Sequence, residues 1–580
     1  MTTRKPYAGS RRKLVFAFDL GTTYSGISYS VLDPGSVPEI KGVTRFPEQE
    51  HVGSDAKIPT ILYYDKTGTV RAVGAEALKE SVLEQAEEES WFKCSGFKLH
   101  LRPNLEGSAI QAQAANFPPL PPGKDVVTIF SDIFKYLFQC GKTYILETHP
   151  SATTFWSSIE DSIEFILSHP NGWEGRDQAN MRRAAVLAGL VPNEVAGEER
   201  VHFVTEGEAS LHFCIHHRLS SFIRDQEAVI IIDAGGGTVD ISTYTCVSAK
   251  DGDQAQAFKE VAAPQCNFTC SMFVTRRAKA FLDAKLKRTK FAKEAEHIAQ
   301  CFDKTTKLRF KVANEPAYIH FGGMRDKDPK LNIIMGKLKL TGAEVASFFE
   351  PSSTVSAAFL HFEPLDIAFS RPDSHVNKAV ADGALSFHLD RAVLERISKY
   401  NYGIRIFTAY DASDPGHVER KDKTFMSDAG ALSLSNQYSI ILPKGESIAE
   451  TKEFRGPYRR TAQKLSDLAS ISQDILCYRG IREDPPLWMD VEIDNYPVLC
   501  NVTADTREAA RSLVLQRRPD GKSYFSFSFS IILLLGQTEM KAQIAWVENG
   551  VEKRSPARIV YGPQLTCTNV ATFWPLYLFF

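Results

Sequence analysis

Two short stretches of this sequence put an acid, a glycine turn and threonine hydroxyls where a phosphate group can be held. They read Asp19-Leu-Gly-Thr-Thr-Tyr24 and Asp233-Ala-Gly-Gly-Gly-Thr-Val-Asp240, and their leading acids lie 214 positions apart. Glycine (Gly21 in the first; Gly235, Gly236 and Gly237 in the second) lets the backbone approach a phosphate closely and aim N–H groups at it. Thr22, Thr23 and Thr238 add hydroxyl donors. A carboxylate at the head of each turn, Asp19 or Asp233, suits Mg²⁺, which keeps most of its hydration shell and is bound largely through water. Two opposed turns of this kind can grip a polyphosphate from both sides.

The elements around the turns support that reading. Leu14–Asp19 is an apolar run of strand length, and after the turn Ile27, Tyr29 and Val31 alternate with serines. Val229–Ile232 leads into the second turn, and Val239 and Ile241 alternate with polar residues after it. Each turn is thus predicted to join two strands. Val126, Phe130, Ile133, Phe134 and Leu137 fall on one helical face, so residues 126–140 are predicted to be helical. Further helices are expected over Met181–Leu190, over Val274–Lys287, after the Thr341-x-x-Glu344 capping box, and along Val376–Ser398, where Ala379 and Gly383 leave room for close approach. Beyond Tyr400 the pattern turns β-rich. Phe525, Phe527 and Phe529 alternate with serines, and Asn549-Gly550 is a hairpin signal.

Other phosphate-binding patterns do not fit. No GxxxxGK[ST] string occurs, the residues after Thr238 alternate like a strand where a dinucleotide fingerprint would enter a helix, and protein-kinase signatures are missing. A net charge of −2 over 580 residues gives no pull toward nucleic acid or an anionic membrane. No apolar run reaches membrane-spanning length, and nothing at the N-terminus reads as a secretory signal. The ten cysteines include no CxxC pair, and Cys266 and Cys270 read as buried thiols, which points to a reducing cytoplasmic or nuclear setting.

The strings FAFDLGTTYSG and VIIIDAGGGTVDIS resemble the two phosphate motifs of the 70-kDa heat-shock protein ATPase domain. WEGRDQANMRRAAVLAGL, FVTEGEASLHF, FDKTTKLRF and RPDSHVNKAVADGA extend the likeness over about residues 13–400, and the chain looks most like the divergent heat-shock-like proteins of filamentous fungi. The resemblance implies an α/β fold: a duplicated ribonuclease-H-like (actin/heat-shock ATPase) two-lobe domain followed by a β-rich C-terminal unit. The expected division is a basic tail over 1–12, lobe I over 13–225, lobe II with a return helix over 226–399, a β-rich domain over 400–563 and an atypical tail over 564–580. It implies ATP or ADP with Mg²⁺ between the lobes, and protein clients or co-chaperones as partners.

By the same resemblance, Asp19 and Asp233 are the carboxylates around the Mg²⁺–water cluster. Gly21, Thr22, Thr23 and Tyr24 wrap the phosphates from one lobe, and Gly235, Gly236, Gly237 and Thr238 from the other. Glu206 positions the attacking water, Lys98 is the γ-phosphate lysine with Lys93 as its rival, and Lys307 flanks the adenine. Asp240 has the alternative reading of a plain hairpin residue. Three departures stand out. Gly207 and Glu208 replace the family's proline and threonine, Thr269-Cys270 replaces a Gly-Gly pair, and Pro351–Arg371 contains no glycine where a glycine turn should contact the adenosine. The last is expected to impair nucleoside binding. Besides a slow ATPase switch, two readings therefore stay open: a pseudo-ATPase scaffold and, with nothing marking a sugar pocket, a small-molecule kinase of the same superfamily.

Overall fold

A computed structural model describes residues 4–51, 57–101, 117–150, 152–173, 175–217, 223–247, 256–267, 270–350, 376–536, 538–559 and 576–578. Thr269 and Pro351–Arg371, two of the three departures, lie outside the described residues. The chain opens with Lys13–Leu20 (β1) and Tyr24–Leu32 (β2), an antiparallel pair that sets Asp19 opposite Gly26. Lys41–Gly42 (β3) and Ile58–Pro59 (β4) both pair with β2. Ile61–Tyr64 (β5), Val70–Val73 (β6) and Phe92–Ser95 (β7) make a small separate sheet. Glu164–His169 (β8) then lies parallel to β1, and Val201–Thr205 (β9) parallel to β8, giving the order β3-β2-β1-β8-β9.

β1 is apolar on both faces because both are covered. Leu14, Phe16 and Phe18 point into a core with Phe130, Ile133, Phe134 and Leu137 of the helix Val126–Thr148. Val15 and Ala17 meet Val380, Ala384 and Leu385 of the helix Ala379–Asp390. Each of the larger of these side chains, taken from water, contributes roughly 1.5–3 kcal/mol, so the strand that carries Asp19 is firmly fixed.

A second sheet starts with Ala228–Ala234 (β10) and Val239–Val247 (β11), antiparallel, with Asp233 opposite Asp240. Ala257–Asn267 (β12) follows on β11. Ala317–His320 (β13), Ile333–Ile334 (β14) and Lys337–Leu340 (β15) form a small sheet of their own. The expected capping box is present: Thr341 N–H donates to Glu344 Oε2 at 2.8 Å, and Glu344 N–H donates back to Thr341 Oγ1 at 3.1 Å.

The single helix expected over Val376–Ser398 is not found. The helix ends at Asp390, Arg391 turns into the left-handed region (φ 46°), and Val393–Ile397 is a strand (β16) parallel to β12. The β-branched Val393 and Ile397 suit a pleated edge better than a last helical turn. Gly383 sits where expected: a Cβ there would strike the Ala209 carbonyl, so the helices Ala379–Asp390 and Glu206–His216 cross backbone to backbone.

From Asn401 the chain is mostly β. Asn401–Ala409 (β17), Phe425–Met426 (β18) and Leu432–Leu442 (β19) belong to a twelve-stranded sheet. Ser447–Ala449 (β20) leaves that sheet and pairs with β16, so the second sheet reads β10-β11-β12-β16-β20. Glu453–Ala462 (β21), Ser470–Tyr478 (β22), Val498–Asp505 (β23), Gln516–Arg517 (β24), Ser523–Gly536 (β25), Glu539–Glu548 (β26), Val551–Arg554 (β27), Arg558–Ile559 (β28) and Leu576–Leu578 (β29) complete the large sheet. Phe527 and Phe529 are core residues while Ser528 faces solvent. Asn549 (φ 52°) and Gly550 (φ 78°) make the two-residue turn between β26 and β27. At the other end of β26, Glu539 is buried against Arg182 (Nη2–Oε1 2.8 Å), and Thr538 Oγ1 donates to the Phe203 carbonyl at 2.7 Å. Among the described residues no helix is long and apolar enough to cross a membrane.

Candidate functional site

The two glycine turns face each other. A Cβ on Gly236 would strike the Thr23 side chain, and one on Gly237 would come within 2.6 Å of Thr22 Oγ1. Gly21 must be glycine for a local reason, because a Cβ there would run into the Tyr24 carbonyl. The second turn is closed by Gly235 N–H donating to the Thr238 carbonyl at 2.9 Å, and it is tied to the start of the helix Ser271–Leu286 by Met272 N–H donating to the Gly236 carbonyl at 2.7 Å. Thr22 and Thr238 are buried, while Tyr24 stands 47% exposed.

The acids gather at the same seam. Asp19 is buried, and its Oδ2 lies 2.5 Å from the ammonium of Lys57. Asp233 accepts from Ser210 Oγ at 3.2 Å. Glu206 opens the helix Glu206–His216 behind its cap Thr205 and is ion-paired with Lys98, which sits in the turn Phe97–Leu101. Lys98 is buried and lies 5.7 Å over the Trp173 ring, whereas its rival Lys93 is exposed on β7. Lys307 bonds Ser271 Oγ (2.8 Å) and Thr275 Oγ1 (3.1 Å) and pairs with Asp303, the acid whose field, after burial, raises the pKa of Tyr24. The structure therefore brings Asp19, Lys98, Glu206, Asp233 and both turns together, with Lys307 anchored on the helix that abuts Gly236.

Lys57 and Asn171 escape the sequence reading, which leaves Asp240 open between a plain hairpin residue and a site residue. Lys57 precedes β4, and only the pairing of β4 with β2 brings it to Asp19. Asp240 is no surface hairpin residue: it is fully buried, its Oδ1 accepts the backbone N–H of Asn171 at 2.7 Å, and its Oδ2 has no partner. Asn171 also donates to the Ile241 carbonyl and Ser242 Oγ, so the loop after β8 is stitched to β11. Gly207 is needed at this crossing, because a Cβ there would strike Ser242 Oγ. Glu208 forms a buried bidentate pair with Arg396 of β16. Both replacements at 207 and 208 are thus built into the packing.

The carboxylates are crowded. Burial, then Glu206 and Asp233, pushes Asp240 up to about 8; burial, then Glu206, pushes Asp233 up to about 6. Burial opposes the charge on Lys57, yet Asp19, Asp233 and Glu206 together outweigh it and raise its pKa. A bound cation would displace the proton that Asp240 otherwise keeps. Among the described residues no three His, Cys, Asp or Glu side chains are grouped so as to hold a metal ion directly.

These raised values set a pH dependence. Glu260, buried with its carboxylate accepting Ile397 N–H at 2.7 Å, is lifted to about 8 by burial, as Asp240 is. A folded pKa above the unfolded one adds stability that is complete below the unfolded pKa and is lost as pH rises through about 8. His169, His212 and His388, depressed to about 4 by burial, act in the opposite sense but only below about 6.5. Metal-free protein is therefore expected to lose up to about 1.4 kcal/mol per group for each pH unit between about 6.5 and 8. Urea melts across that range check this, and Glu260→Gln should flatten the slope.

Comparison with known proteins gives a distant likeness. The chain is 27% identical over 214 residues to heat shock 70 kDa protein 12B of Homo sapiens, a match that covers 36% of this chain and 29% of the human protein. No family model matches the chain.

Proposed function

We propose that the chain, a distant relative of the 70-kDa heat-shock proteins, binds ATP or ADP with hydrated Mg²⁺ between two related lobes and hydrolyses ATP slowly. In this reading the sheets led by β1 and β10 are the duplicated lobes. Each has a strand ending in an acid, a glycine turn and an antiparallel return strand. The observation that carries it is the contact of Gly236 and Gly237 with Thr23 and Thr22, which makes one cradle of two distant motifs.

Asp233 and Asp240, paired across β10 and β11, would hold the water shell of the metal, while Asp19 has one oxygen covered by Lys57 and would face the shell through the other. The metal, when bound, neutralises charge on the phosphates. Lys98 leaves Glu206 for the terminal phosphate, and Glu206 then orients the water, which is the positioning and charge-neutralising work that phosphoryl transfer needs. Nucleotide state would reach clients or partner proteins through the unit that follows Tyr400. A pseudo-ATPase scaffold is the second reading, favoured by the Lys57–Asp19 pair, which already neutralises one of the expected metal-facing acids.

Isothermal titration with ATP and Mg²⁺ tests the proposal. Wild-type protein should bind, and Gly236→Val, whose side chain strikes Thr23 across the seam, should weaken binding at least about tenfold in protein that its melting curve shows to be folded, at an overpacking cost of about 1–3 kcal/mol. Wild-type protein that takes up no ATP would refute it. Binding without phosphate release would leave the scaffold reading standing.

A further inference from the structure

Two lysines at the seam, Lys98 and Lys57, belong to neither glycine turn. Lys57 is fixed through its own carbonyl and the residues after it: its carbonyl accepts from Gln49 Nε2 at 3.2 Å, the next residue, Ile58, is in register with Ser25, and Thr60 N–H donates to the Thr23 carbonyl at 2.8 Å. Those pairings put the base of the side chain beside the first glycine turn. The ammonium reaches Asp19 Oδ2 at 2.5 Å, with the Lys57 side chain 20% and the Asp19 side chain 4% exposed. An ammonium that close leaves this oxygen little room to accept from the water shell of a metal. Lys98 engages Glu206 in the same cleft, so each of the two lysines covers one acid and stands near the phosphate cradle.

We propose that the Lys57 ammonium is a tethered counter-cation for the bound triphosphate, taking at Asp19 the place of a metal ion and letting metal-free nucleotide bind. The inference rests on the reading of the cleft as an ATP site. A fixed cation in a partly enclosed site acts on a phosphate as a bound metal would, and charge-assisted bonds of this kind are worth roughly ten- to a hundredfold in affinity. Lysine binds phosphate as a point charge and needs no coordination geometry, so the demand for an octahedral metal is relaxed on the Asp19 side of the cradle.

The test is titration of the full chain with ATP, once in Mg²⁺ and once in EDTA. Wild-type affinities in the two conditions should agree within about fivefold. Lys57→Met should lose at least about thirtyfold in EDTA but less than about fivefold in Mg²⁺, and Lys57→Arg, which keeps the charge, should restore metal-free binding. A wild-type affinity in EDTA about a hundredfold or more below that in Mg²⁺ overturns the inference while leaving the ATP site in place, and needs no variant to fold. Lys57→Met with an unchanged ratio overturns it too. No binding in either condition overturns the ATP site and the inference with it.

Discussion

Arg396→Met is expected to cost about 3–5 kcal/mol of folding stability. The guanidinium donates to both oxygens of Glu208, at 3.1 Å and 2.5 Å, and the two side chains are only 12% and 4% exposed. Truncating one partner leaves a carboxylate buried without its counter-charge, which costs far more than the net worth of the pair. Urea unfolding measures it. The double variant Arg396→Met with Glu208→Gln should recover part of the loss, because the stranded charge is gone. A loss below about 1 kcal/mol for Arg396→Met would mean that water reaches Glu208 and that the pair is a surface one. The position matters for the cleft as well. Glu208 lies two residues into the helix that Glu206 opens, so the bridge to β16 also fixes where Glu206 points.

The second large effect is on turnover. Lys98→Met should lower ATP hydrolysis about 10²–10³-fold while ATP binding in Mg²⁺ changes less than about tenfold. Lys98 is the buried ammonium beside Glu206, and Leu99 next to it packs against Gly237, so its charge sits where a terminal phosphate would build up negative charge. Lys93→Met is the matched control, and its exposed place on β7 predicts wild-type rates. Single-turnover measurement of phosphate release separates the two. Equal rates for Lys98→Met and wild type would remove Lys98 from the reaction.

What could be read along the chain was local. The acid-glycine-threonine turns, the apolar strands before them, the helix from Val126 and the Asn549-Gly550 hairpin depend on residues within a few positions of one another, and each occurs in the structure. The misses are long-range. Lys57 meets Asp19 only because β4 folds back on β2, and Asp240 is buried only because the loop after β8 lands on it. Nothing in its own neighbourhood marks Lys57, since a lysine before a short strand is an ordinary surface feature, and the glycine turn before Asp240 leaves its burial unread. The helix expected over Val376–Ser398 failed at its end because the spacing of apolar residues continues past Asp390, while the left-handed Arg391 and the free edge of β12 redirect the chain. Gly207 and Glu208 looked like losses relative to the resembled family, yet they are packing choices whose partners, Ser242 and Arg396, lie far along the sequence.

The β-rich unit is fastened to both of the sheets that carry the glycine turns. On one side β20 is spliced into the sheet that carries Asp233; on the other, Glu539 and Thr538 grip the flank of the sheet that carries Asp19. The two fastenings differ in kind: one is a strand ladder, the other an arginine–glutamate ion pair with bonds from Thr538 Oγ1 and Gln178 Nε2 beside it. Arg182 thus ties the flank of the first sheet to a carboxylate 357 positions further along the chain.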